Sequence, residues 1–147
     1  MKRKRMYLTV LLLPLMLGCK KEVETLPQPD ENGYIWLKNV ESLSLIKQTL
    51  RGDWKIHYAY GGITGHYKVE LGDSYFRYLP NDSIYMVSEG NTSIATKANW
   101  IRKQSVFGFE VWMLESVELY PSMLYKDSLS LGENHVEPMS YIMTKIK

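Results

Sequence analysis

The chain contains a single cysteine, Cys19, in 147 residues. One thiol cannot close an intrachain disulfide, so a small fold stapled by disulfides is excluded. Long apolar runs are missing too. The longest, Met6–Leu17, is interrupted by Pro14 and falls short of the ~20 residues that span a hydrocarbon core. Charge of one sign is also scarce: 18 Lys and Arg stand against 16 Asp and Glu, a formal charge of +2. The sequence has no G-x-S-x-G, P-loop, G-x-G-x-x-G or H-E-x-x-H, so the commoner nucleophile elbows, phosphate loops and zinc-protease helices are not encoded. What is present is 45% hydrophobic and 12% aromatic residues, which excludes a disordered or collagenous chain. The length suits one ordinary domain.

The N-terminus reads as an address. Lys2, Arg3, Lys4 and Arg5 precede the short apolar stretch, and Gly18-Cys19 follow it, the layout of a cleaved signal peptide over residues 1–18. The ending Leu15-Met16-Leu17-Gly18-Cys19 resembles the lipobox of bacterial lipoproteins, which implies that Cys19 is acylated and becomes the first residue. Loss of those four basic residues leaves 14 basic against 16 acidic side chains, a charge of −2, so a nucleic-acid partner is not expected. Residues 19–32 carry Pro27, Pro29 and several charges with little to bury, and are expected to be a flexible tether. Lys20 after the cysteine, and the run Lys20-Lys21-Glu22-Val23-Glu24, resemble signals for outer-membrane placement and surface export, so an envelope protein held by a lipid anchor is expected.

All aromatic residues except Tyr7 lie in residues 33–147, the expected folded domain. Val40, Leu43, Ile46 and Leu50 recur at helical steps, with Asn39 or Ser42 as an N-cap and Gly52 as a stop, predicting one short helix. Beyond Arg51 the pattern is of short strands separated by Gly, Asn, Asp and Pro. A turn centred on Gly61-Gly62 pairs Trp54 with Val69 and Ile56 with Tyr67 on an apolar face, and His57 with His66 on a polar one. It also sets Lys55 against Lys68 and Asp53 against Glu70. A turn at Pro80-Asn81-Asp82 pairs Phe76 with Met86 and Tyr78 with Ile84, and puts Arg77 opposite Tyr85. Met86 then meets Ile94, and the inward row runs through Thr96, Ala98 and Trp100 to Phe109, Val111 and Met113. The expected fold is all-β, about eight antiparallel strands in an up-and-down barrel preceded by a short helix, with a β-sandwich as the alternative.

Gly52-Asp53-Trp54, placed just after a short helix, resembles the G-x-W signature of lipocalins. Together with Val40–Leu43, Leu50–Ile56, Gly61–Gly65 and Pro80–Tyr85, it makes residues 33–147 similar to lipocalin-like lipoproteins of Bacteroides-type bacteria. The resemblance implies a calycin barrel with Trp54 at its closed end. Lipocalins usually lay an arginine from the last strand over this tryptophan; here the last strand offers Lys145 or Lys147. What the family implies is a scaffold, with no defined reaction.

No catalytic residue, cofactor or metal site is expected. His57 and His66 are one or two ligands short of a zinc site, and Glu110, Glu115, Glu118, Glu133 and Glu137 are scattered singly. The expectation is a non-enzymatic, monomeric barrel that binds a small apolar or amphipathic ligand, lined by Tyr58, Tyr67, Tyr78, Trp100, Phe109, Val111 and Met113. The alternative is a filled barrel that acts as a structural or protein- or glycan-interaction module. Asp82-Ser83-Ile84 and Asp127-Ser128-Leu129 match a three-residue O-glycosylation pattern, and both serines also suit turns.

Overall fold

The computed structural model describes residues 24–62 and 67–146. The signal stretch, Cys19, His66 and Lys147 lie outside the described residues. Ser42 caps helix α1 (Leu43–Leu50), its hydroxyl accepting from the Leu45 N–H at 3.4 Å, and Ile46 and Leu50 are the buried side of the helix. Gly52, at φ +119°, then starts the next strand in a conformation that favours glycine. No helix among the described residues is long and apolar enough to cross a membrane.

Strand β1 (Tyr34–Ile35) and a 3-10 turn (Leu37–Asn39) precede the helix. After it come β2 (Gly52–Gly61), β3 (Tyr67–Tyr78), β4 (Ser83–Ser88), β5 (Asn91–Lys97) and β6 (Trp100–Gln104). Strands β7 (Glu110–Leu114), β8 (Leu119–Tyr125), β9 (Ser128–Glu133) and β10 (Met139–Lys145) complete the chain. All belong to one antiparallel sheet of order β5-β4-β3-β2-β10-β9-β8-β7-β6, with β1 paired to the end of β8. The class is all-β, with ten strands rather than about eight. As a hydrogen-bonded sheet it is open: β5 and β6 are its two ends and are not paired with each other. The ladder between β7 and β8 is a single pair, Leu114 with Leu119, and the 3-10 turn packs against both strands.

The β3–β4–β5 register follows the spacing. Phe76 pairs with Met86, Arg77 with Tyr85, Tyr78 with Ile84, and Met86 with Ile94. The first hairpin differs from expectation. Trp54 pairs with Phe76 and not Val69, because β2 and β3 run on to Gly61 and Tyr67 and a bulge between Ile56 and Tyr58 adds residues to one side. The observed register removes the like-charge pairs. Asp53 faces Arg77, which donates Nε and Nη2 to the two carboxylate oxygens at 2.6 and 2.8 Å, and Lys55 reaches Asp73 at 2.8 Å. Gly61, at φ +146°, lets the Pro138 carbonyl approach where a Cβ would block it.

One contiguous core joins Trp54, Ile56, Phe76, Tyr78 and Ile84 from one half of the sheet to Leu114, Leu119, Leu129, Leu131 and Met143 from the other, with Leu37, Val40, Ile46 and Leu50 from the N-terminal segment. Between β5 and β6 the chain keeps its alternation. Ile94, Thr96, Ala98 and Trp100 are half-buried, and Ala95, Lys97 and Asn99 are exposed. The Ala98 N–H donates to the Asp82 carbonyl at 2.7 Å, extending the ladder to β4, while the Asn99 carbonyl accepts from Glu115 N at 2.9 Å, extending the ladder to β7.

The described part of the expected tether lies on the domain. Glu24 accepts a hydrogen bond from the Ser42 hydroxyl, and Leu26 packs against the core. The Asp30 carboxylate accepts from Asn32 N, Tyr34 N and Trp36 Nε1 at 3.0, 2.9 and 2.9 Å. Those donors, Tyr34 N and the Trp36 indole foremost, hold its carboxyl below the usual aspartate value.

Candidate functional site

At the α1 end of the sheet, the tryptophan of the G-x-W stretch is held from several sides. Trp54 is buried, its Nε1 donates to the Leu50 carbonyl at 2.8 Å, and the Lys145 ammonium lies 5.3 Å from its ring centroid. A Cβ on Gly52 would stand 3.2 Å from the Lys145 stem, so the glycine leaves room for that lysine. Nearby, Lys47 pairs with Asp82 at 2.8 Å, and the Tyr78 hydroxyl donates to the other Asp82 oxygen while accepting from Trp100 Nε1 at 3.2 Å. Lys47, and then Tyr78, hold the Asp82 carboxyl below its usual value; burial, reinforced by Asp82, pushes the Tyr78 hydroxyl well up. This network donates and accepts within itself and ties α1 and the turn before β4 to Tyr78 and Trp100.

The expected ligand-lining residues do not converge on one space. Tyr78 is committed to this network, with Trp100 edge-on to it at 6.2 Å. Tyr67 and Phe109 are exposed, at 64% and 45%. Val111 and Met113 are fully buried, but in a second, smaller cluster with Tyr120 and Ile101. Trp100 pairs with Leu114 and Ile101 with Met113, so the face of Trp100 continues through Trp112 and Leu114. The inward row therefore keeps to even-numbered residues through β7, since no bulge intervenes in β6–β7 to change face. Of the expected residues, Tyr58 borders a groove of about 200 Å³ shared with Tyr34, Met123, Tyr125, Ser130 and Ile142.

A second pocket of about 200 Å³ opens on the core side, bordered by Ile56, Leu71, Ser74, Met86, Ser88 and Tyr141. Ser74 donates to Ser88 at 3.3 Å. Tyr141 donates its hydroxyl to Glu133 at 2.6 Å, and burial, then Glu133, pushes its ionisation well up. Leu71, Ser74 and Tyr141 were not among the expected residues; the observed β2–β3 register sets Ser74 opposite Ile56, with Leu71 in the bulge beside it, and the expected register of that hairpin hid both.

His57 is exposed and shares a 2.7 Å hydrogen bond with Thr144. Among the described residues, no three His, Cys, Asp or Glu side chains are grouped to hold a metal ion. Ser83 is buried and its hydroxyl accepts from Lys97 Nζ at 2.9 Å, so it is not presented for modification, whereas Ser128 is half-buried. No family model, curated protein or solved structure matches the chain.

Proposed function

We propose that this chain is a non-enzymatic envelope lipoprotein, anchored through acylated Cys19, whose domain is a filled barrel serving as a structural or interaction module. The barrel reading rests on parity. Along the sheet order, nine strands alternate in direction, so β5 and β6 run the same way and cannot close an all-antiparallel ring as separate strands. Taken as one strand bent at Ala98-Asn99, which exchanges β4 for β7 as its partner, they leave eight strands, and every neighbouring pair of that ring is hydrogen-bonded. An outer-membrane location follows the order of residues after Cys19.

The observation that carries the filled reading is the core itself. Phe76, Ile84, Leu114, Leu129, Leu131 and Met143 are fully buried against one another, and the core-side pocket, at about 200 Å³, is smaller than the ~300–1,000 Å³ that encloses a drug-sized ligand. That pocket, with Tyr141 and Ser74 at its wall, is what favours the second reading, a carrier for a small amphipathic molecule. The test is native mass spectrometry of protein extracted from its own envelope, together with titration of an environment-sensitive apolar dye. No retained molecule and no saturable uptake is the expected result. Saturable uptake that Met86→Trp abolishes would replace the filled barrel with the carrier. Palmitate label present in wild type and absent from Cys19→Ala checks the anchor independently.

A further inference from the structure

We propose that the domain rests on the membrane through an aromatic and lysine strip beside the root of its own tether, an inference that depends on Cys19 being the acylated residue. The strip is continuous. Lys126 Nζ lies 5.1 Å from the Tyr125 ring, Tyr125 and Tyr34 are 4.9 Å apart by ring centroid, and Tyr34 and Trp36 are 5.7 Å apart. Lys38 Nζ then bridges two rings, 5.0 Å from Trp36 and 4.0 Å from Phe109. Trp36 is 37% exposed and Phe109 45%, and Phe107, two residues from Phe109, is also 45% exposed. Large rings with a polar edge, interleaved with lysines whose stems lie along them, suit the boundary between headgroups and acyl chains.

The occupant is identified by where the chain goes. The described residues begin at Glu24, bonded to Ser42 at the helix N-cap, and six residues on Asp30 holds the Trp36 indole, so the path from the anchor meets the domain at α1 and runs on to this strip. Five residue steps from Cys19 to Glu24 span at most ~18 Å, where a tether free to Asn32 would reach ~45 Å. A surface held that close to a bilayer meets lipid before it meets another protein. Asp30, Glu31 and Asp127 flank the strip, so the attraction is interfacial burial of the rings and not a basic patch on anionic lipid.

The test uses the full acylated chain, reconstituted in vesicles of phosphatidylethanolamine and phosphatidylglycerol whose acyl chains carry bromine near the headgroup. The expected result is a loss of tryptophan emission, most of which Trp36→Phe removes and which Phe107→Ser/Phe109→Ser weakens, because Trp54 is buried and the half-buried Trp100 and Trp112 have their indoles bonded to Tyr78 and the Glu41 carbonyl. Equal quenching of wild type and Trp36→Phe, in protein that carries palmitate label, would overturn the docking and leave the anchor standing. Absence of the label would overturn both. Protection of the strip from radical labelling on whole cells, without quenching in vesicles, would assign it to a protein partner and defeat the lipid reading.

Discussion

Replacing Trp54 with alanine tests how the helix and the last strand are fastened to the sheet. The side chain is 4% exposed, packs in the main core, donates to the Leu50 carbonyl and lies beneath Lys145. Removal of a buried tryptophan costs ~3–5 kcal/mol, the lost transfer of the ring plus the void it leaves. The orphaned Leu50 carbonyl places this case toward the upper part of that range. A domain of this size has a net stability of ~5–15 kcal/mol. Since 1 kcal/mol moves the midpoint by roughly 4 °C here, the melting temperature should fall by ~12–20 °C. Two companions divide the effect. Trp54→Phe keeps most of the packing and loses the N–H, and Lys145→Ala loses a cation–π contact of ~0.5–1 kcal/mol. The assay is thermal unfolding followed by far-ultraviolet circular dichroism and tryptophan fluorescence on the same samples. If Trp54→Ala melts within a degree or two of wild type, the ring is not a keystone of the core and the packing described for α1 is wrong.

Asp53 gives a pH signature. Hydrogen bonds from Arg77, then its charge, hold the Asp53 carboxyl below 3.8 in the folded protein. Its contribution is therefore present above the unfolded value and lost as pH falls through the folded one, so Asp53→Asn should flatten the acid limb of an unfolding-midpoint titration; an unchanged limb would discount the pair. The half-exposed setting of Arg77 and Asp53 keeps the effect modest. Gly132→Ala tests the second cluster: the new methyl would stand 2.9 Å from the Tyr120 ring, and overpacking should cost ~1–3 kcal/mol in chemical denaturation, a cost that Tyr120→Leu should relieve.

Which parts of this fold are legible in the sequence depends on whether local chemistry pins the register. At Leu79–Asp82 a turn residue is forced at each step: Pro80 sets its own φ, and Asn81 accepts from Ser83 N, so Phe76–Met86 and Tyr78–Ile84 follow by counting. The first hairpin has no such constraint. Two glycines occur early, the turn falls later, and a bulge at His57 cannot be read from alternation; only the clash of Lys55 with Lys68 and Asp53 with Glu70 signalled that the count was off. In β7, Val111, Trp112, Met113 and Leu114 are all apolar, so periodicity does not say which pair faces the main core, and pairing with Trp100 decides it. The grip of Glu24, Leu26 and Asp30 on the domain was hidden for a different reason. Glu24 and Leu26 are single side chains in a proline-bearing stretch whose partners lie elsewhere in the fold, and Asp30 takes its donors from Asn32, Tyr34 and Trp36, which no periodicity marks.

The pairing of β2 with β10 sets a constraint on time. Trp54, on the first long strand, takes Lys145, on the last, as its neighbour, and Ile56 takes Met143. Contacts so distant along the chain are slow to form, since the entropy of closing the loop must be overcome before they stabilise anything. A chain delivered end-first, whether from a ribosome or through an export channel, can form the β3–β4–β5 meander early but has no partner for one side of β2 until Met139–Lys145 arrives. Until then the edge of β2 and the indole of Trp54 stay available to a chaperone or to aggregation, and the arrival of β10 becomes the moment of folding.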